Sequence, residues 1–291
     1  MHMLYHYTNL QGLLGILSSK SIWASHCEYL NDSSEYRQAI RFAKAFSGNI
    51  YMEDDYLAAF GWTVRDALEK MQVHNVYVSS FSEKKDLLSQ WRGYCPQGGG
   101  ICIGFDKAAI QGFCDSKGYH LSKCIYSHSE QVKIISQLLD ECFSNFPKPL
   151  ISRSEYEARD SKGRVDHVLG YRALVSLGDA KELADTVVNK FISEINDLAP
   201  RVKNFGFHEE AEWRIVAPNP ENKIEFRIGG SHLIPYIQLP VVDSEKSPIR
   251  EIIVGPNPNP QRCISSIEKL IKSFNLGKVE INESQIPFSS W

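Results

Sequence analysis

The first nine residues contain neither lysine nor arginine. MHMLYHYTN has no basic segment followed by an apolar run, so a secretory signal peptide is not expected. No later apolar run approaches the roughly 20 residues needed to span a bilayer, so no membrane association is expected. There is no C-x-x-C pair. The seven cysteines, at 27, 95, 102, 114, 124, 142 and 263, are odd in number and scattered. This argues against a disulfide framework and a zinc site, and for reduced thiols in a cytoplasmic protein. The glycines at 98–100 are not followed by G-K-[ST], so GGGICIGFD reads as a turn entering a buried strand rather than a phosphate loop. Neither sign of charge dominates. A formal charge of −3 and a pI near 6.3 exclude a general attraction to nucleic acid or anionic membranes, leaving room only for a local basic groove. Internal repeats and low-complexity tracts are absent as well.

What is present is an ordinary globular composition, 43% hydrophobic and 23% charged, in a chain of 291 residues that can bury a substantial core. LYHYT reads as a first strand feeding a helix, with Thr8 and Gln11 at capping-box spacing and Leu10, Leu13, Leu14 and Leu17 as its apolar stripe. A short strand at 21–25 follows, then a helix entered through Asp32 and Glu35, and a third helix over 55–71. Strands are expected at 75–82, 98–106 and 119–126, with short and long helices at 87–91 and 131–146. From 147 to 204 the chain is polar and helix-favouring, which predicts a helical insertion in a single domain. Strands return at 211–217, 223–228, 233–239 and 250–254, before a helix at 261–274 and a strand at 278–281. Sequential strands with uneven helices predict an α+β fold around a mixed sheet.

The stretch HEEAEWRIV, 208–216, carries the clearest chemical signal. With a period of two, His208, Glu210, Glu212 and Arg214 point one way, while Ala211, Trp213, Ile215 and Ala217 point the other. Carboxylates two residues apart on a strand lie about 6.6 Å from each other. At an effective dielectric of ~20 they repel by roughly 2.5 kcal/mol, enough to raise one pKa unless Arg214 or a ligand compensates. A solvated edge strand would relieve the same repulsion.

Other candidates have plain roles when taken singly. Tyr5 and Tyr7 fall on one face of the first strand, with Leu4, His6 and Thr8 on the other, where a histidine is commonly a satisfied core or edge residue. Phe81, Trp91 and Tyr94 are rings that packing alone would account for. Asn31, Asp32 and Glu35 are most simply a helix cap and its partner.

Together, LYHYTNLQGLLGILSSKSIWAS, LNDSSE, YVSSFS, LLSQWRGY, GGGICIGF and EEAEWRIV resemble a family of bacterial domains of unknown function with the pattern H-Y-T, L-N-D-x-x-E, S-F-S, W-x-x-Y, G-x-x-I-G-F and E-x-E-W-R. The quoted segments run from residue 4 to about 217, with 147–204 poorly covered. That family is in turn similar to the ADP-ribosyltransferase superfamily, through a histidine on the first strand, an S-x-S-like strand and an E-x-E strand near the end. The resemblance implies a split mixed sheet of ADP-ribosyltransferase-like type, with NAD as a substrate and no metal. His6 would hold a ribose of NAD, with Tyr7 and Thr8 completing its motif. Ser80, Phe81 and Ser82 with Trp91 or Tyr94 would wall the nicotinamide, Glu212 would be catalytic, and Glu210 would face an acceptor that is protein or nucleic acid. Asn31, Asp32, Glu35, Arg92 and Arg214 are further motif residues. The middle of the pattern departs from that superfamily, because no tyrosine pair is present and the S-F-S strand accompanies His6 rather than an arginine. Two other readings stay open. One is a non-catalytic nucleotide-binding or interaction module. The other is a metal-dependent nuclease with Glu209, Glu210 and Glu212, joined by Asp32 and Glu35, around Mg²⁺.

Overall fold

The structure is a computed structural model that describes residues 2–30, 34–71, 75–94, 99–242 and 247–287, with the side chains of 34–36 and 50–52 outside that description. In chain order its elements are β1 (Met3–Asn9), α1 (Leu10–Ser19), β2 (Ile22–His26), α2 (Ser34–Glu53), α3 (Ala58–Lys70), β3 (Val76–Ser82), α4 (Leu88–Tyr94), β4 (Gly100–Asp106), α5 (Lys107–Lys117) and β5 (His120–Lys123). Then come α6 (His128–Asn145), α7 (Arg153–Glu157), α8 (Ser161–Ser176), α9 (Lys181–Leu198), β6 (Glu212–Pro218), β7 (Glu225–Ile228), β8 (Leu233–Leu239), β9 (Ile249–Val254), α10 (Pro260–Ser273) and β10 (Glu280–Glu283). Asn31 and Asp32 lie outside the described residues, as does the side chain of Glu35.

The chain divides into two compact units. One holds every strand, together with α1, α4, α5 and α10. The other is helical, built from α2 and α3 and from α6 to α9. The helical character expected for 147–204 is present, and these residues pack with the earlier helices as part of that larger unit.

The sheet is mixed and open, in the order β10-β9-β4-β1-β3-β2-β8-β7. Its pairs are antiparallel except β9 with β10. β3 is the hub. Along one edge it pairs with β6 over its whole length, from Val76↔Pro218 to Ser82↔Glu212, and β6 in turn pairs with β5. The opposite edge is shared. β1 takes the end at Tyr5↔Ser82, and β2 takes Ser25↔Val78 and His26↔Tyr77. The sheet is therefore split along β3 between those contacts.

One face of the sheet carries the main core, including Leu4, Leu17, Ile103, Phe105, Ile215 and Ile237, covered by α1, α5 and α10 through Leu13, Ile110 and Ile267. A smaller cluster on the other face joins Tyr5, Tyr7, Trp91, Cys102 and Ile253. The alternation of strand side chains sorts the two sets.

Several local expectations are corrected. Asn9, not Thr8, caps α1, its side-chain oxygen accepting from the Gly12 N–H at 2.8 Å, because β1 runs one residue past Thr8. In α1 the buried stripe is Leu13, Ile16 and Leu17, while Leu10 and Leu14 are exposed. The strand expected over 211–217 begins at Glu212, because Phe205–Glu210 is a 3₁₀ turn and Ala211 is left-handed, with φ 43° and ψ 50°. The strand expected over 119–126 is confined to His120–Lys123.

Candidate functional site

The ladders around β3 bring the motif strands together. Ser80 faces Arg214, Phe81 faces Trp213 and Ser82 faces Glu212, while Ser82 also faces Tyr5 on its other side. The histidine strand, the S-F-S strand and the acidic strand are thus consecutive neighbours, spaced about 4.8 Å apart.

His6 sits where β1 leaves β3. Its Nδ1 lies 2.9 Å from the Ser80 carbonyl oxygen, so that nitrogen carries the hydrogen and donates. The imidazole therefore replaces a missing ladder hydrogen bond at the split, and Nε2 keeps its lone pair. Burial lowers the His6 pKa, with the Ser80 bond acting in the opposite direction, so the ring is neutral at pH 7.

Glu212 and Arg214 form a buried side-on ion pair. Arg214 Nε donates to Oε1 at 2.7 Å and a terminal nitrogen donates to Oε2 at 3.1 Å, with both side chains almost inaccessible. Arg214 supplies the compensation that the sequence called for, but the expected stacking of Glu210 on Glu212 is absent. The left-handed turn at Ala211 takes Glu210 off the strand, so Glu210 and Glu212 are not stacked on one strand face. That turn is clamped. Ser82 Oγ donates to the Glu210 carbonyl at 2.6 Å, the Ala211 N–H donates to His208, and the Ala211 carbonyl accepts from the Glu83 N–H at 3.1 Å. Ser82 is therefore a positioning residue, and its hydroxyl also accepts from the Lys84 N–H.

The rings are not the expected walls. Phe81 is buried in the main core, 5.7 Å from both His6 and Phe105 by ring centroids. Trp91 is buried in the other cluster, edge-on to Tyr7 at 4.8 Å, and its Nε1–H donates to Asp86 at 2.6 Å. Two rings sealed into packing on opposite faces cannot sandwich a ligand between them. Tyr7 is likewise structural, its hydroxyl donating to the Lys84 carbonyl and accepting from the Leu87 N–H. Tyr94 and Arg92, at the end of α4, are exposed, and Thr8 is half-buried beside α1.

Strand alternation also separates the two principal candidates. Tyr5, Ser80, Ser82, Glu212 and Arg214 project to one face of the sheet, and His6 and Phe81 to the other. The split is where the two sets approach, because His6 reaches the backbone of the residue whose own side chain lies on the Glu212 face.

Two supporting sets escaped sequence reasoning. Trp213 Nε1–H donates to Glu83 at 2.8 Å, Lys123 bridges Glu83 at 3.0 Å, and the Lys107 ammonium lies 3.4 Å from the Trp213 ring centroid. Buried Glu251 accepts from Tyr5, Lys85 and Asn282. Asp86 stands five residues before Trp91, a spacing with local meaning, whereas Glu251 and Tyr5 are 246 residues apart and no sequence pattern links them.

Glu209 is exposed on the 3₁₀ turn, Glu210 is half-buried there, and Glu212 is held by Arg214, while Asp32 and the side chain of Glu35, the other members of the nuclease reading, lie outside the described residues. Among the described residues, no three His, Cys, Asp or Glu side chains gather to hold a metal ion. No helix among them is long and apolar enough to cross a membrane.

With this geometry established, comparison with known proteins adds one likeness. Residues 90–215 match a family model described as "Protein of unknown function (DUF2971)". The match opens on α4 with Trp91 and closes within β6 on Glu212 and Arg214, running through the helical stretch 147–204 that the quoted motifs covered poorly. His6 and the Ser80–Ser82 segment precede it. No curated protein and no solved structure matches the chain.

Proposed function

We propose that the protein binds NAD across the split in its sheet and cleaves the nicotinamide–ribose bond, passing the ADP-ribosyl group to a protein or nucleic-acid acceptor or to water. One observation carries this reading: the imidazole of His6 bonded to Ser80 at the place where β1 and β3 part, with β3 itself between that gap and the strand that bears Glu212. With Nδ1–H committed to Ser80, Nε2 is an acceptor suited to a ribose hydroxyl. Ser80 is half-exposed on the Glu212 side of the same gap. Cleavage of the C–N bond leaves the ribose with oxocarbenium character, and a carboxylate on the rigid start of β6 would stabilise that charge as it develops. Nicotinamide leaves with the bonding pair, and the acceptor's nucleophile supplies the new bond to the ribose. Of the three motif rings, Tyr94 is the exposed one, at 42%.

The buried Arg214 pair favours a second reading, binding without turnover, because a carboxylate already matched by a guanidinium has less to offer a transient cation. Calorimetric titration with NAD and an assay for nicotinamide release separate the two. Saturable binding with release, lost in His6→Leu and in Glu212→Gln, supports transfer or hydrolysis. Binding without release in the presence of a lysate supports the binding module. Absence of saturable binding overturns both.

A further inference from the structure

β7 is the last strand of the sheet, and among the described residues no strand pairs with its outer edge. An uncovered edge is a template for another strand, and native proteins ordinarily blunt it with charge, proline or a bulge. Here the edge is apolar on one face instead. Phe226 is 63% exposed, Ile228 88% and Leu233 59%, with Ile224 beside them at 43%. Ile228 and Leu233 are direct cross-strand partners, so the exposed side chains form a continuous patch on the β7–β8 hairpin.

The sequence of this edge, Ile224-Glu225-Phe226-Arg227-Ile228, is complementary to its own reverse. Laid antiparallel on a second copy with Phe226 opposite Phe226, it sets Glu225 against Arg227 twice and Ile224 against Ile228 twice. Residues directly opposite in an antiparallel pair share a face, so the ion pairs fall on one side and the apolar pairs on the other. Shifting the register by one pair in either direction places Glu225 against Glu225 or Arg227 against Arg227. The charges therefore select a single alignment. Within the chain both side chains reach inward across the sheet, Glu225 accepting from Tyr236 and Gln238 of β8 and Arg227 donating to Ser25 of β2, so the pairs with a second copy share or exchange these bonds.

We infer that this chain forms a twofold dimer by antiparallel pairing of β7 with β7 of a second copy, continuing the sheet through an isologous interface centred on Phe226. The interface depends on neither the NAD reading nor any residue of the candidate site.

Sedimentation and light scattering across a concentration series test it. The expected species has twice the 33.0 kDa chain mass and dissociates on dilution. Glu225→Arg alone and Arg227→Glu alone each create two like-charge contacts and should weaken the dimer by roughly tenfold or more. The double exchange, Glu225→Arg with Arg227→Glu, restores complementarity and should restore the dimer, as should mixing the two single variants. Phe226→Lys should give a monomer. A chain that is monomeric at every concentration overturns the inference. So does a dimer indifferent to both reversals, or one that the double exchange fails to rescue.

Discussion

The buried Glu212–Arg214 pair sets the sharpest expectation. At separations of 2.7 and 3.1 Å, unit charges at an effective dielectric of ~20 attract by about 5–6 kcal/mol, most of which offsets the loss of water around two buried ions. Removing one partner leaves the other charge buried without compensation. Arg214→Met and Glu212→Gln should therefore each destabilise the strand-bearing unit by about 3–5 kcal/mol. The double variant should cost less than the sum, with a coupling of about 2–3 kcal/mol between the two positions. Urea denaturation of the four proteins at pH 7, read by tryptophan fluorescence, gives the cycle directly. Additive single effects, with coupling below about 0.5 kcal/mol, would refute the conclusion that the side chains act as a buried unit. Activity assayed on the folded fraction then distinguishes stability from chemistry. Loss of nicotinamide release in Glu212→Gln at full folding is expected if the carboxylate serves the reaction.

Other expectations follow from single sites. In the helical unit His167 is buried, stacked on Tyr56 at 5.4 Å and beside Tyr156 and Tyr171, and its ring nitrogens make no hydrogen bond of good geometry among the described residues, only a weak approach to the Tyr56 backbone. His167→Phe should keep the ring contacts and raise stability by about 1–2 kcal/mol, checked by thermal melting. Burial lowers the pKa values of His6, His26 and His167 in the folded chain. Stability from these groups is thus complete above about pH 6.5 and falls as pH drops from there toward the folded-state values, because the unfolded chain takes up the protons first. Urea midpoints at pH 7 and pH 5 should show this, with a smaller drop in His167→Phe. Ala211→Gly removes the left-handed strain, worth about 1–2 kcal/mol, against a smaller gain in unfolded-chain entropy, so a net stabilisation of about 0.5–1 kcal/mol is expected in denaturant titrations. Gly255→Ala would bring a methyl group to 2.8 Å from the Trp91 ring and should cost about 1–3 kcal/mol, seen as a lower melting temperature and a shifted tryptophan emission.

The legible parts of the sequence were those with local causes. The β-branched and aromatic run before Ser82, the alternation in LYHYT and the long apolar stripe of α6 place their elements within a few residues. The boundary at Glu212 was missed because an alanine gives no warning of a left-handed backbone. That conformation is held by Ser82 and Glu83, which stand about 130 residues earlier. The candidate site was legible as a set of residue types and illegible as a geometry. Tyr5, rather than His6, aligns with Ser82 and Glu212, and that register depends on pairings between strands far apart in sequence. Burial had the same character. Trp91 looked like a ligand wall until Asp86, Tyr7 and the close approach of Gly255 enclosed it.

The hub position of β3 has a consequence for biogenesis. Residues 75–82 leave the ribosome long before β6, since Ser82 and its contact Glu210 are 128 residues apart. Throughout that interval of synthesis one side of the hub strand has no ladder partner, and only the closing of a large loop, entropically dear and slow, supplies it. The S-F-S strand therefore keeps one open edge until β6 is made, and the arrival of Glu212 and Arg214 ends that exposure.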